Sequence, residues 1–134
     1  MSLPEKRCRT ILNFGTNREA LLARARSLNE LGYRVINAND GFEAIQLAAD
    51  EAVDAVVLDL DRNDAEIALV ASEIKLCRPQ VPRVLLTEGT GLTIRAHQLA
   101  DVLVTNRDDV GMLIATLEDL LSNARRINTP EAVS

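Results

Sequence analysis

Asp59 is the residue best placed to do chemistry. It closes the segment Asp54-Ala55-Val56-Val57-Leu58-Asp59-Leu60-Asp61, in which a short β-branched apolar run ends abruptly in acid. Runs of that kind suit the centre of a parallel sheet, where both faces are covered. A carboxylate at the carboxyl end of such a strand sits at the edge where open α/β sheets place ligands. A second candidate is the turn Gly15-Thr16-Asn17, which follows an apolar segment and precedes a helical one. Backbone N–H groups at a helix start suit an anion, so this turn could take a small anion or a nucleotide phosphate. Metal chemistry of the zinc or haem kind has little to work with. The cysteines, Cys8 and Cys77, are far apart, and His97 is the single histidine.

Composition narrows the classes further. The 134 residues fit one domain and are 47% apolar, enough for a core without staples. Tyr33, Phe14 and Phe42 are the only aromatics, so the core is built from Leu, Val, Ile and Ala, with few rings for stacking bases. The net charge of −5 repels a phosphate backbone on average, which argues against nucleic acid as a partner. Two separated cysteines fit a reduced, cytoplasmic setting. No segment has the length of a membrane span.

The elements that must position Asp59 alternate regularly. A first strand covers Thr10 to Phe14. Thr16 or Asn17 then caps a helix whose core face is Leu21, Ala25, Leu28 and Leu31, and Gly32 ends it. Tyr33 to Ala38 is a second strand, and Phe42, Ile45 and Ala49 mark a helix reaching about Glu51. Ala55 to Asp59 is the third strand. Asp64 is a cap for a helix with Ile67, Val70, Ile74 and Cys77 on one face, ended by Pro79. A fourth strand covers Arg83 to Thr87, a short helix covers roughly 92–100, and Val102 to Val104 is the fifth strand. Asp108 caps a last helix with the stripe Val110, Leu113, Ile114, Leu117, Leu120 and Leu121, and Arg125 and Arg126 suit its negative end. Five strands alternating with five helices predict a flavodoxin-like, doubly wound parallel sheet of order 2-1-3-4-5. The expected organisation is a flexible lead-in over 1–8, one domain over 9–124 and a flexible tail over 125–134.

Four stretches then resemble the response-regulator receiver domain, the phospho-accepting module of two-component signalling. Leu31-Gly32-Tyr33-Arg34-Val35 is similar to the family's LGYxV segment before the second strand. Asp40-Gly41-Phe42-Glu43-Ala44 is similar to its DGxEA helix start. Asp54 to Leu60 is similar to its acceptor segment, with Asp59 in the phospho-acceptor position. Pro82 to Thr87 is similar to its fourth strand, with Thr87 in the switch position. The resemblance implies a site in which an acidic pair after the first strand and the acceptor Asp hold Mg²⁺, and a Lys after the fifth strand supplies a fixed cation. Phosphoryl transfer to a carboxylate needs that positive charge, because several negative oxygens crowd together.

The sequence departs from the pattern at each supporting position. The acidic pair falls on Gly15 and Thr16, and the Lys falls on Asn106. Glu88 stands after the switch Thr, where the family has a small residue, and Leu103 stands at the aromatic switch position. Arg62 or Arg107 could form an ion pair with Asp59, and Asp61 or Glu88 could lend a stray metal ligand. The resulting expectation is a degenerate, stand-alone receiver-like protein that works by protein–protein contact without normal phosphorylation, and no enzyme. It needs no cofactor; Mg²⁺ enters only if phosphorylation is retained, with Asp59 as the one remaining ligand. No output domain is expected in a chain of this length. The alternatives are an active acceptor phosphorylated on Asp59 and a small anion binder at Gly15–Asn17. The expected partners are a histidine kinase or an output protein, or a second copy through the face of the fourth helix, fifth strand and fifth helix, which carries Asp101, Asp109, Met112 and Thr116. Neither nucleic acid nor a membrane is expected.

Overall fold

The computed structural model describes residues 9–59, 64–88, 100–106 and 108–127. Five strands form one parallel sheet: β1 (Thr10–Phe14), β2 (Arg34–Ala38), β3 (Ala55–Asp59), β4 (Arg83–Leu86) and β5 (Val102–Val104). Their order across the sheet is β2-β1-β3-β4-β5, as the alternation of elements predicts. Four helices are described: α1 (Arg18–Glu30), α2 (Gly41–Asp50), α3 (Asp64–Cys77) and α4 (Val110–Ile127). The short helix expected near 92–100 lies outside the described residues.

The two-residue period of the strands sorts the core into two layers. Leu12, Phe14, Val56, Leu58 and Leu85 point to one face and pack with Ala44, Ala48, Ile67, Val70 and Ile74 of α2 and α3. Ile11, Val57, Val84 and Leu86 point to the other and pack with Leu28, Leu113, Leu117 and Leu121 of α1 and α4. The same alternation puts Asn13 and Asp59 on the α1 side of the sheet, one step beyond Ile11 and Val57.

Two aspartates secure the starts of their strands in the same way. Asp54 Oδ2 accepts from the Thr10 N–H at 2.7 Å, and the Asp54 N–H donates to the Thr10 carbonyl at 2.7 Å. Asp101 Oδ2 accepts from the Arg83 N–H at 2.7 Å, and the Asp101 N–H donates to the Arg83 carbonyl at 2.8 Å. Each pair ties a strand to its neighbour one residue ahead of the ladder. At the other edge of the sheet the strand ends are left for the site.

Several local expectations shift by one residue. Leu31 is 53% exposed, because α1 ends at Glu30 and Leu31 is already its cap, with Gly32 at φ +99°. Phe42 is 75% exposed; the buried face of α2 is Gly41, Ala44 and Ala48. Cys77 is exposed at the end of α3. Asp109 caps α4 rather than Asp108: its Oδ1 accepts from the Met112 N–H at 2.9 Å, while the Asp108 N–H donates to Asn106 Oδ1. Asp64 is the first residue of α3, not a residue ahead of it.

Candidate functional site

Asp59 ends β3 and is 3% exposed. Its carboxylate faces α1, and α1 answers it with Arg24. Arg24 Nη1 donates to Asp59 Oδ2 at 3.2 Å, and the two side chains are 6% and 2% exposed. Two charges so far from water persist only when paired and hydrogen-bonded. Arg24 Nε donates to Asn13 Oδ1 at 2.8 Å, and Asn13 Nδ2 donates to the Leu21 carbonyl at 3.1 Å and to Asn37 Oδ1 at 3.0 Å. A buried polar chain therefore runs from Asn37 on β2 through Asn13 on β1 and Arg24 on α1 to Asp59 on β3.

Gly15 makes room for it. A Cβ at this buried position would lie 3.1 Å from Arg24 Nη2 and 3.3 Å from the Asp59 Cβ. Any side chain on residue 15 competes for the space that the guanidinium fills. The Gly15 N–H donates to the Ala38 carbonyl, and Asn17 Oδ1 takes the Ala20 N–H as the cap of α1. The Gly15 N–H and the Asn17 side-chain oxygen are thus already used within the chain. Thr16 is exposed beside them.

Thr87 follows β4 and is 4% exposed, next to Leu86, which pairs with Asp59 across the sheet. Its N–H donates to the Val104 carbonyl at 2.9 Å. Glu88 and Asn106 meet in an isolated antiparallel bridge, and both are exposed. The structure thus brings Asp59, Thr87 and Gly15 to one sheet edge, with Glu88 and Asn106 bridging the ends of β4 and β5. Arg62, Asp61 and Arg107 lie outside the described residues. Among the described residues Asp59 forms an ion pair with Arg24, which the sequence alone does not single out. The signal was present: Arg24 falls within the stripe Leu21, Ala25 and Leu28, and Asn13 falls in an otherwise apolar strand. Two polar residues at core positions in consecutive elements mark a buried network.

No family model matches the sequence, and no curated protein matches it. The solved structures do. A receiver domain protein of Methanospirillum hungatei superposes with a TM-score of 0.82 over 90% of this chain and 99% of its own, at 17% identity. The response regulator TrrA of Thermotoga maritima, in complex with Mg²⁺ and BeF, gives 0.73 over 84% and 98%, at 23% identity. The receiver domain of a sensor histidine kinase of Pseudomonas aeruginosa, with magnesium coordinated in its active-site cleft, gives 0.75 over 86% and 98%, at 22% identity. The fold is that of a response-regulator receiver domain. Within that receiver fold the Arg24–Asp59 pair occupies the strand edge that carries the resemblance to the acceptor site. Among the described residues no group of three or more His, Cys, Asp or Glu is placed to hold a metal ion, and no helix is long and apolar enough to cross a membrane.

Proposed function

We propose that the chain is a receiver-like signalling module that works by protein–protein contact, and that Asp59 is held out of phosphotransfer by Arg24. The observation that carries this reading is the 3.2 Å contact between Arg24 Nη1 and Asp59 Oδ2, buried on both sides. A carboxylate that attacks phosphorus must present a free oxygen to an incoming phosphoryl group. Here Oδ2 is bound by a cation that is part of the protein, and burial of the side chain, 2% exposed, restricts approach to the other oxygen.

Magnesium fits this donor set poorly. Mg²⁺ takes hard oxygen ligands in a near-octahedral shell. Of the positions matching the receiver's metal ligands, Asp59 alone is a carboxylate, since Gly15 and Thr16 replace the acidic pair. The guanidinium beside Gly15 adds positive charge where a dication would need the opposite. Asn106 supplies no cation after β5. The cation that Asp59 meets is Arg24, and among the described residues no group of three or more His, Cys, Asp or Glu is placed to hold a metal ion. The module's partners are signalling proteins, a histidine kinase or an output protein, recognised through its surface rather than through a phosphoryl switch.

Titration with Mg²⁺ followed by amide NMR tests the reading. The expected result is no change at Gly15, Asp59 or Thr87 at millimolar metal. A saturable shift confined to those residues would restore the active-acceptor alternative.

A further inference from the structure

The outer edge of β2, which no other strand pairs with among the described residues, has the makings of an interface. β2 is the outermost strand of the sheet. In a parallel ladder, alternate residues turn both backbone groups toward the neighbouring strand. The Arg34 N–H donates to the Arg9 carbonyl and the Ala38 carbonyl accepts from the Gly15 N–H, so Arg34, Ile36 and Ala38 face β1. Val35 and Asn37 therefore direct their N–H and C=O groups outward. Asn37 is held in place by its hydrogen bond with Asn13, so the edge is already ordered before any partner arrives.

Beside this edge runs a shallow groove of about 490 Å³ between α1 and β2, lined by Leu22, Arg26, Glu30 and Asn37 among others. It continues past Leu22 to Arg18. Arg18, Leu22, Arg26 and Glu30 follow one another at intervals of four and form one stripe along α1. Leu22 is 45% exposed in the middle of it. Arg18 and Glu30 are exposed and have no ion-pair partner among the described residues.

The stripe is complementary to itself when reversed. We infer that two copies of this chain pair through their β2 edges about a two-fold axis at Ile36, normal to the sheet. The inference rests on the reading of the chain as a contact module and names the partner as a second copy. Val35 of each protomer then faces Asn37 of the other, and each facing pair exchanges two backbone hydrogen bonds. The same axis lays the two α1 helices antiparallel on one face of the joined sheet. Arg18 of one copy meets Glu30 of the other at both ends, and Leu22 meets the aliphatic stem of Arg26. An isologous interface requires this reciprocity, in which each contact occurs twice. The result is a continuous ten-stranded sheet that covers both exposed edges and both Leu22 side chains.

Sedimentation of the full chain over a range of concentrations, with amide hydrogen exchange under the same conditions, tests it. A concentration-dependent dimer is expected, in which the Val35 and Asn37 amides gain protection as dimer forms. Arg18→Glu weakens it about tenfold or more, since two attractive contacts become repulsive. The swapped variant Arg18→Glu with Glu30→Arg recovers it. Four outcomes overturn the inference: a monomer at NMR concentrations, a dimer indifferent to Arg18→Glu, no recovery in the swapped variant, or protection of Val35 and Asn37 only when another protein is added. None of these bears on whether Asp59 is phosphorylated, which acetyl phosphate labelling of the same variants decides separately.

Discussion

At the scale of the residue, one buried ion pair, Arg24 with Asp59, sets the character of the site. Removing one member takes from the other its buried, oppositely charged partner, so Arg24→Met and Asp59→Leu are each expected to lower stability by about 3–5 kcal/mol. The double variant, which buries no charge, should cost at least about 1 kcal/mol less than the sum of the two. Urea unfolding of the four proteins in the cycle measures this. Tyr33 offers a second check. Burial, with Glu118 adding to it and Arg9 opposing it, raises its phenol above the ordinary value of 10.0. The folded protein then keeps this proton at a pH where the unfolded chain has lost it. Stability from Tyr33 is therefore complete below pH 10 and declines as pH rises from there toward the folded value. Tyr33 is the only tyrosine, so ultraviolet titration reads it alone; its midpoint should lie above 10 in the folded protein and fall in urea. Asp59, Thr87 and the missing acids at Gly15 and Thr16 were all legible in the sequence, because each occupies a fixed offset from a strand end. Arg24 carries a fainter signal, its place within the apolar stripe of α1, because a charged residue on an amphipathic helix ordinarily faces water; the fold shows what it meets there.

At the scale of the element, close approach decides more than propensity. Gly41 opens α2 and is buried against α3: a Cβ there would come within 2.9 Å of Glu66 Oε2 and of Val70 Cγ2. The Gly41 N–H also donates to that Glu66 oxygen at 2.9 Å. Gly41→Ala would gain helix propensity, yet it has to push α3 away. The net effect should be a loss of about 1–3 kcal/mol, read by thermal or urea unfolding. Arg78, just past α3, closes the other end of α2 by donating to the carbonyls of Ala48 and Ala49, both at 2.9 Å. Arg78→Ala leaves those carbonyls to water and should speed amide exchange in the last turn of α2. Strand positions were legible to within a residue, since apolar β-branched runs bounded by turns admit little else. The phase of α2 was not. Its small buried residues, Ala44 and Ala48, carry a weak apolar signal, while the larger Phe42 looks like a core residue and faces solvent. The cap of α4 is ambiguous in the sequence for a related reason: Asp108 and Asp109 are chemically alike, and only the structure shows that Asp109 takes the Met112 N–H.

At the scale of the molecule, the order β2-β1-β3-β4-β5 follows from regular alternation and right-handed crossovers, and both are visible in the chain. The departures from the receiver pattern are coherent when taken together. Gly15 vacates the space, Arg24 fills it and pairs with Asp59, Asn13 holds the arginine, and Asn37 holds Asn13. On the proposed reading the site keeps one state, and the module passes information through what binds its surface. The central claim is tested most directly by incubating the protein with acetyl phosphate and Mg²⁺ and looking for an acyl phosphate on Asp59 by intact-protein mass spectrometry. The account predicts an unmodified protein. Stoichiometric, Mg²⁺-dependent labelling that disappears in Asp59→Asn would contradict it.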